Sequence, residues 1–372
     1  MRILHVVPTY LPATRYGGPI YAVHGLCRAL AARGHDVSVF TTNVDGTGQS
    51  DVPLGVPVDR DGVRVHYFAS EFRRLYVSRG LNRALRATAG TFDVVHLHSV
   101  FLWPTYAAAR AASAAGVPYI VSPRGMLVPE LIRERSRLAK TTWLRLFERR
   151  TFANAARIHF TAQAEWNDAA RTGLTLPKPF VVPNGIDLVS RPPVPRDERT
   201  ILYFGRISWK KRIDRLIDAL PRVPNAQLVI AGNDDEGLTP ALRDRAQQAG
   251  LIDRVTFLGP IDSAAKWELL ARATLFALPS MSENFGNVVL EAMMMETPVV
   301  LSAGVGLAPD VANAHAGIVA DDFADTIRTL LDDAPLRAAL GRNGRALVES
   351  RFTWPVVAAE MEEAYCSIAS RR

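Results

Sequence analysis

Only two cysteines, Cys27 and Cys366, occur in 372 residues, at opposite ends of the chain. That scarcity excludes a disulfide-stapled scaffold, and two reduced, buried thiols of a cytosolic protein are the expectation. No Cys/His cluster has metal-ligand spacing, so no metal site is expected. Long apolar runs are missing as well: nowhere do about 18 apolar residues follow one another, which excludes a spanning helix. The start, Met1-Arg-Ile-Leu-His-Val-Val-Pro8, is broken by proline and too short for a signal segment; it reads as a first buried strand. The glycine fingerprint of dinucleotide-binding folds is absent too, which disfavours a nicotinamide enzyme.

What is present is alternation. Strand-like runs at 3–7, 37–41, 63–68, 94–97, 119–121 and 158–161 are separated by amphipathic stretches such as 20–32, 81–89 and 106–115. The rhythm restarts with runs at 200–204, 227–231, 255–258, 275–278 and 299–301, separated by helical patterns at 212–219, 241–249, 266–271 and 288–295. Between the two series, 187–199 holds Pro192, Pro193 and Pro195 without periodicity. The spacing predicts an α/β protein: a first doubly wound domain over 1–186, a linker over 187–199 and a second domain over 200–351. The last stretch, 352–372, is a helix of a length to cross back to the first domain. Two such domains would face each other across a cleft, with ligands at the carboxyl ends of the strands.

Charge divides with the domains. Residues 1–190 carry a net +10 and residues 191–372 a net −3. The first half would attract an anionic membrane face or a phosphate-linked acceptor. Its basic residues are not interleaved with stacking aromatics, so no nucleic-acid partner is expected.

The richest motif is Ser282-Glu283-Asn284-Phe285-Gly286-Asn287-Val288-Val289-Leu290-Glu291, which joins a strand to a helix start. Free amides and the positive end of a helix dipole favour a phosphate there, and Glu283 and Glu291 could accept bonds from sugar hydroxyls. Acidic residues placed for the dipole alone account for it equally well. In Gly205-Arg206-Ile207-Ser208-Trp209-Lys210-Lys211, cations crowd the start of a helix, where they are locally unfavourable. An expected anion resolves that conflict, with Arg206 as a bidentate fork and a lysine as a point charge; a merely solvated basic turn is the alternative. The turn Tyr16-Gly17-Gly18-Pro19 allows close backbone approach to a ligand, or is an ordinary tight turn.

His98 and Arg124 end two strands on the same edge and are acceptor-side candidates with Tyr16; a purely structural role is the alternative for each of the pair. Two basic stretches remain, at 72–86 and 131–152. Each fits an interfacial helix on anionic lipid, or an apolar stripe with a solvated basic face. Arg73, Arg74 and Arg79 are the membrane-contact candidates.

Taken in order, these motifs resemble the family-4 retaining glycosyltransferases of GT-B fold, the group 1 enzymes of bacterial exopolysaccharide and capsule synthesis. The resemblance runs from Gly17-Gly18 through Asp93-Val-Val-His-Leu-His98 and Pro183-Asn-Gly-Ile-Asp187 to Phe352-Thr-Trp354, and its most diagnostic part is Glu283 with Glu291. It implies that Arg206 and Lys211 bind a donor diphosphate, Glu283 the transferred sugar and Glu291 the ribose. Asn284, Phe285, Gly286 and Asn287 would supply backbone contacts, while Gly205, Gly17 and Gly18 approach the phosphates. Transfer would proceed by front-face attack, with a phosphate oxygen taking the acceptor proton and no metal or other cofactor. The implied partners are a nucleotide-diphosphate sugar and a saccharide or polyprenyl-diphosphate-linked acceptor. The implied location is the cytoplasm, peripheral at the inner membrane face. One departure stands out: Arg124 precedes Gly125 where many members have a histidine, and arginine cannot act as a base. The competing readings are a non-catalytic nucleotide-sugar-binding or membrane-docking protein, an epimerase, or an inverting transferase using His98 as base.

Overall fold

The computed structural model describes residues 1–13, 17–134 and 137–369. The chain forms two compact units: Met1–Gly185 together with Trp354–Arg372, and Ile186–Thr353.

The first unit is built on an eight-stranded sheet in the order Pro179–Val181, Arg157–Phe160, Tyr119–Ser122, Val94–His98, Arg2–Val7, Asp36–Thr42, Val63–Phe68, Pro57–Arg60. Its neighbours run parallel except the last pair, which is antiparallel at the edge. Central strands buried on both faces read as unbroken apolar runs. Within Arg2–Val7, Leu4 and Val6 face one core cluster while Ile3 and Val7 face the other, the two-residue period of a pleated strand.

The closing helix Trp354–Ala369 packs in this unit through Trp354, Val357, Met361, Tyr365 and Ile368, one helical stripe. Trp354 fits because Gly25 and Gly185 lack side chains: a Cβ on either would lie 2.2 and 2.5 Å from its ring. Cys27 is buried and Cys366 exposed, and no disulfide joins them. The expectation of two buried thiols therefore fails at Cys366, which faces outward from this helix.

The second unit carries a six-stranded, wholly parallel sheet in the order Val255–Gly259, Gln227–Ala231, Thr200–Phe204, Leu275–Leu278, Val299–Leu301, Gly317–Val319. In each sheet the winding direction reverses about a central pair. These pairs are Arg2–Val7 with Val94–His98 and Thr200–Phe204 with Leu275–Leu278. Loops leaving the carboxyl ends of such a pair diverge and open a crevice.

The segment predicted as a linker is docked on the second unit. The Arg196 guanidinium donates to the carbonyls of Ala273 at 2.9 Å, Met295 at 3.0 Å and Glu296 at 2.6 Å, and to the Thr297 hydroxyl at 2.9 Å. Burial lowers its pKa to about 10. Its order comes from side-chain bonds to distant carbonyls, so no local periodicity announces it.

The described residues of the basic stretch 131–152 are helical, with a π-helical turn inside. The elements are Pro129–Glu134, Arg137–Trp143, the π-helical turn Leu144–Glu148 and Arg149–Ala153. Among the described residues no helix is long and apolar enough to cross a membrane.

Candidate functional site

The central pair of the second sheet gathers the two strongest motifs. After Thr200–Phe204 the chain turns at Gly205 and enters the short 3-10 helix Trp209–Lys211. After Leu275–Leu278 it runs through Glu283 to the helix Asn287–Met294. Because these strands are hydrogen-bonded and parallel, their outgoing loops lie side by side, and the Met281 amide donates to the Lys210 carbonyl at 2.8 Å. Glu283 is fixed by its backbone, donating to the Gly304 carbonyl at 2.9 Å and accepting from the Gly306 amide at 2.8 Å. Its carboxylate forms an ion pair with the Lys211 ammonium.

Both partners are largely shielded, with side chains 14% and 22% exposed. Burial first, then the Arg206 and Lys210 charges, pull the Lys211 pKa down to about 8. Arg206 is exposed, and its carbonyl accepts from the Tyr203 hydroxyl at 2.8 Å. The loop thus concentrates positive charge around one carboxylate, a surplus that an anion would relieve.

Gly286, in a left-handed conformation, is the cap residue of Asn287–Met294 and has no side chain to occupy that helix start. Asn284 and Asn287 flank it, whereas the Phe285 ring is buried 6.1 Å from that of Phe352. Phe285 therefore offers the site only its backbone. One turn into the helix, the Glu291 carboxylate accepts from the Lys266 ammonium at 2.8 Å. Burial raises the Glu291 pKa, against the pull of Lys266.

In the first unit His98 lies buried at the end of its strand. The Arg124 Nε donates to His98 Nδ1 at 3.3 Å, and Nη1 donates to Asn184 Oδ1 at 2.8 Å. A guanidinium only donates, so His98 carries its proton on Nε2, which lies 2.9 Å from His5 Nδ1. Burial and Arg124 drive the His98 pKa well down. The ring is an internal link with both nitrogens engaged. Glu165 braces the Arg124 turn, accepting from the amides of Gly125 at 2.6 Å and Thr161 at 2.8 Å.

His5, His96 and His98 each present a ring nitrogen within 4.8 Å of the others, a set that could hold a metal ion. Sequence spacing missed it because His5 sits on the neighbouring strand. The guanidinium against His98 repels a second cation there. Gly17, with φ of 62°, precedes the helix Gly18–Ala32, while Tyr16 lies outside the described residues.

Residues 17–185 match the family model described as "Glycosyl transferase 4-like domain", and residues 188–347 match "Glycosyl transferases group 1". The chain belongs to the group 1 glycosyltransferases. It is 30% identical to a D-inositol 3-phosphate glycosyltransferase of Xylanimonas cellulosilytica, over 100% of this chain and 97% of the relative. Its fold is the GT-B type of solved glycosyltransferase structures. A sucrose-phosphate synthase from Thermosynechococcus elongatus superimposes with a TM-score of 0.78 at 24% identity, covering 100% of both chains. Anabaena HepE, in complex with UDP and glucose, gives 0.76 at 20% identity, covering 99% of this chain and 100% of its own.

The basic stretch of the glycosyltransferase at 72–86 folds as a turn, Arg73–Leu75, and a helix, Arg79–Thr88. Phe72, Arg73, Arg74 and Arg79 are exposed. A surface hollow of about 500 Å³ is lined by Arg79, Asn82, Arg83 and Arg86. Sequence reading of the glycosyltransferase gave no role to Lys266, Asn184, Glu165 and Gly232, although Asn184 lies in the quoted motif Pro183–Asp187. The first three are recognisable only by what they touch. Gly232, at φ 141°, lies so near Gly205 that a Cβ would stand 1.9 Å from the Gly205 carbonyl oxygen.

Proposed function

We propose that this glycosyltransferase moves a hexose-type sugar from a nucleotide-diphosphate sugar to a saccharide or polyprenyl-diphosphate-linked acceptor, with retention at the anomeric carbon, in cell-surface polysaccharide synthesis. The observation that carries this reading is the Lys211–Glu283 pair, set beside exposed Arg206 and a helix start led by Gly286 at the reversal point of the second sheet.

In this reading Lys211 and Arg206 take the diphosphate, aided by the backbone of Gly205 and of Asn284–Asn287. Glu283 takes hydroxyls of the sugar and Glu291 those of the ribose. As the bond from the anomeric carbon to the diphosphate oxygen breaks, negative charge gathers on the leaving group beside the two cations. The acceptor oxygen bonds to that carbon on the same face, and its proton passes to a phosphate oxygen. Side-chain cations answer the diphosphate charge in this scheme, so no metal is required. The neutral, fully engaged His98 supports a mechanism without a histidine base.

Exposed Phe72, Arg73, Arg74 and Arg79 support contact with an anionic membrane face. The UDP complex of the Anabaena neighbour makes UDP the first nucleotide to try.

The test is a thermal-shift panel with UDP, GDP, ADP and their sugar conjugates, with and without EDTA. At a hundredfold excess over Kd, binding adds ~2.7 kcal/mol. A selective, EDTA-insensitive shift that disappears in Lys211→Ala is expected. A shift that requires divalent metal, or survives that substitution unchanged, overturns the scheme.

A further inference from the structure

The carboxylate expected at the ribose does not stand alone. Lys266, on the helix Ser263–Arg272, donates to Oε1 of Glu291 at 2.8 Å. Both side chains are about four-fifths shielded, at 19% and 20% exposure. The lysine is itself oriented. Its helix is capped by Asp262, whose carboxylate accepts from the Ala265 amide at 2.8 Å, and its ammonium sits 4.4 Å from the centre of the Trp267 ring. Among the described residues, the other oxygen of Glu291, Oε2, makes no hydrogen bond.

The chemistry of this arrangement is specific. A carboxylate this largely shielded that must accept hydrogen bonds from two hydroxyls needs to be ionised and fixed in rotation. Desolvation works against the first need and side-chain freedom against the second. One ammonium bound to one oxygen answers both, leaving the opposite oxygen as acceptor. A neutral partner would supply orientation without the charge.

Resting on the proposed ribose role of Glu291, we infer that Lys266 is the positioning residue of the nucleoside site: it holds Glu291 with one oxygen engaged and the other presented to the vicinal hydroxyls of a ribonucleoside diphosphate. The nucleoside preference of the enzyme, ribose over deoxyribose, is then set by the pair and not by the glutamate alone.

The experiment compares whichever of UDP, GDP and ADP binds with its 2′,3′-dideoxy analogue, by titration calorimetry on the full chain. The wild type should prefer the ribonucleotide by about tenfold or more, the strength of a charge-assisted bond. Lys266→Met should erase most of that preference by weakening the ribonucleotide alone, leaving the dideoxy affinity as it was. Lys266→Arg should restore a good part of it, which a merely misfolded site would not do.

Circular dichroism and melting of Lys266→Met establish that the fold is kept. If the wild type discriminates and Lys266→Met discriminates equally, the inference about Lys266 falls while the ribose role of Glu291 stands. If the wild type binds both nucleotides equally, or Glu291→Gln keeps the preference, the ribose reading falls and this inference with it. If Lys266→Met weakens both nucleotides alike, the lysine acts on the fold or on the phosphates, and the inference is likewise overturned.

Discussion

The Lys211 ammonium and the Glu283 carboxylate meet in an ion pair although they leave different strands. Two hydrogen-bonded parallel strands, Thr200–Phe204 and Leu275–Leu278, end side by side and deliver the two loops to one place. The pair is held by backbone bonds on the Glu283 side, so removing either charge should leave the fold intact and strip the site of a fixed group. Lys211→Ala and Glu283→Gln are each expected to lower kcat/KM by about 10²–10³-fold, with melting points close to wild type. Steady-state kinetics beside melting curves check this, and global unfolding of both variants would count against a functional pair.

The Lys211 pKa, brought down to about 8 by burial and by its cationic neighbours, sets a pH limit. The diphosphate needs the protonated ammonium, and kcat/KM reports the free enzyme. Donor capture should therefore decline as pH rises through about 8, well before an ordinary lysine at 10.5 would titrate. Lys211→Arg should move the decline upward. A profile flat to pH ~10 in the wild type would contradict the environment described for Lys211.

Gly232 is expected to tolerate no side chain. Its Cβ would fall 1.9 Å from the Gly205 carbonyl oxygen, pushing the donor loop away. Gly232→Ala should destabilise the second unit by more than about 2 kcal/mol and weaken nucleotide binding. Gly34→Ala, also at positive φ but facing open space, is the control and should cost only about 1 kcal/mol. Urea unfolding of both variants decides it.

Glu148, buried in the first unit, accepts from the Phe101 amide at 2.7 Å and the Trp143 indole at 3.0 Å, while Oε2 has no partner. Burial raises its pKa from 4.5 to about 7. Between those values the native state keeps a proton that the unfolded chain releases, so stability falls as pH rises through the window. The full loss is on the order of 3 kcal/mol. The buried His5 and His159, both lowered to about 3, act oppositely, destabilising the native state as pH falls below 6.5. Glu148→Gln should remove the rising-pH penalty and leave the acid loss in place. Unfolding midpoints of variant and wild type at about pH 5 and pH 8 measure the difference.

Membrane contact has its own check. Replacing Arg73, Arg74 and Arg79 with alanine together should weaken sedimentation with anionic vesicles, and wild-type binding should fade as salt rises. Equal binding by the triple variant would move any membrane contact elsewhere on the chain.

Much of this was legible without coordinates. The two-fold restart of alternating strand and helix patterns announced two parallel sheets, because strands buried on both faces must be apolar throughout. The basic helix start at Gly205–Lys211 was visible because its cations are locally unfavourable unless an anion is present, and Ser282–Asn287 because a strand, a polar loop and a helix start leave free amides there. Local rules did not reach Arg196, which orders an aperiodic segment through distant carbonyls, nor the π-helical turn Leu144–Glu148.

The sequence by itself determined the layered α/β architecture and the charge of the loops at Gly205–Lys211 and Ser282–Asn287, which follow from periodicity and short-range pattern, while the family followed from the resemblance of its motifs. Only tertiary structure decided which charges meet: Lys211 with Glu283, Lys266 with Glu291, Arg124 with His98. Each of these meetings depends on strand order or helix packing, and so on contacts between residues far apart in the chain. The same dependence left His98 a neutral internal link and exposed Cys366. Burial is a property of the assembled layers, and no residue carries it in its own neighbourhood of sequence.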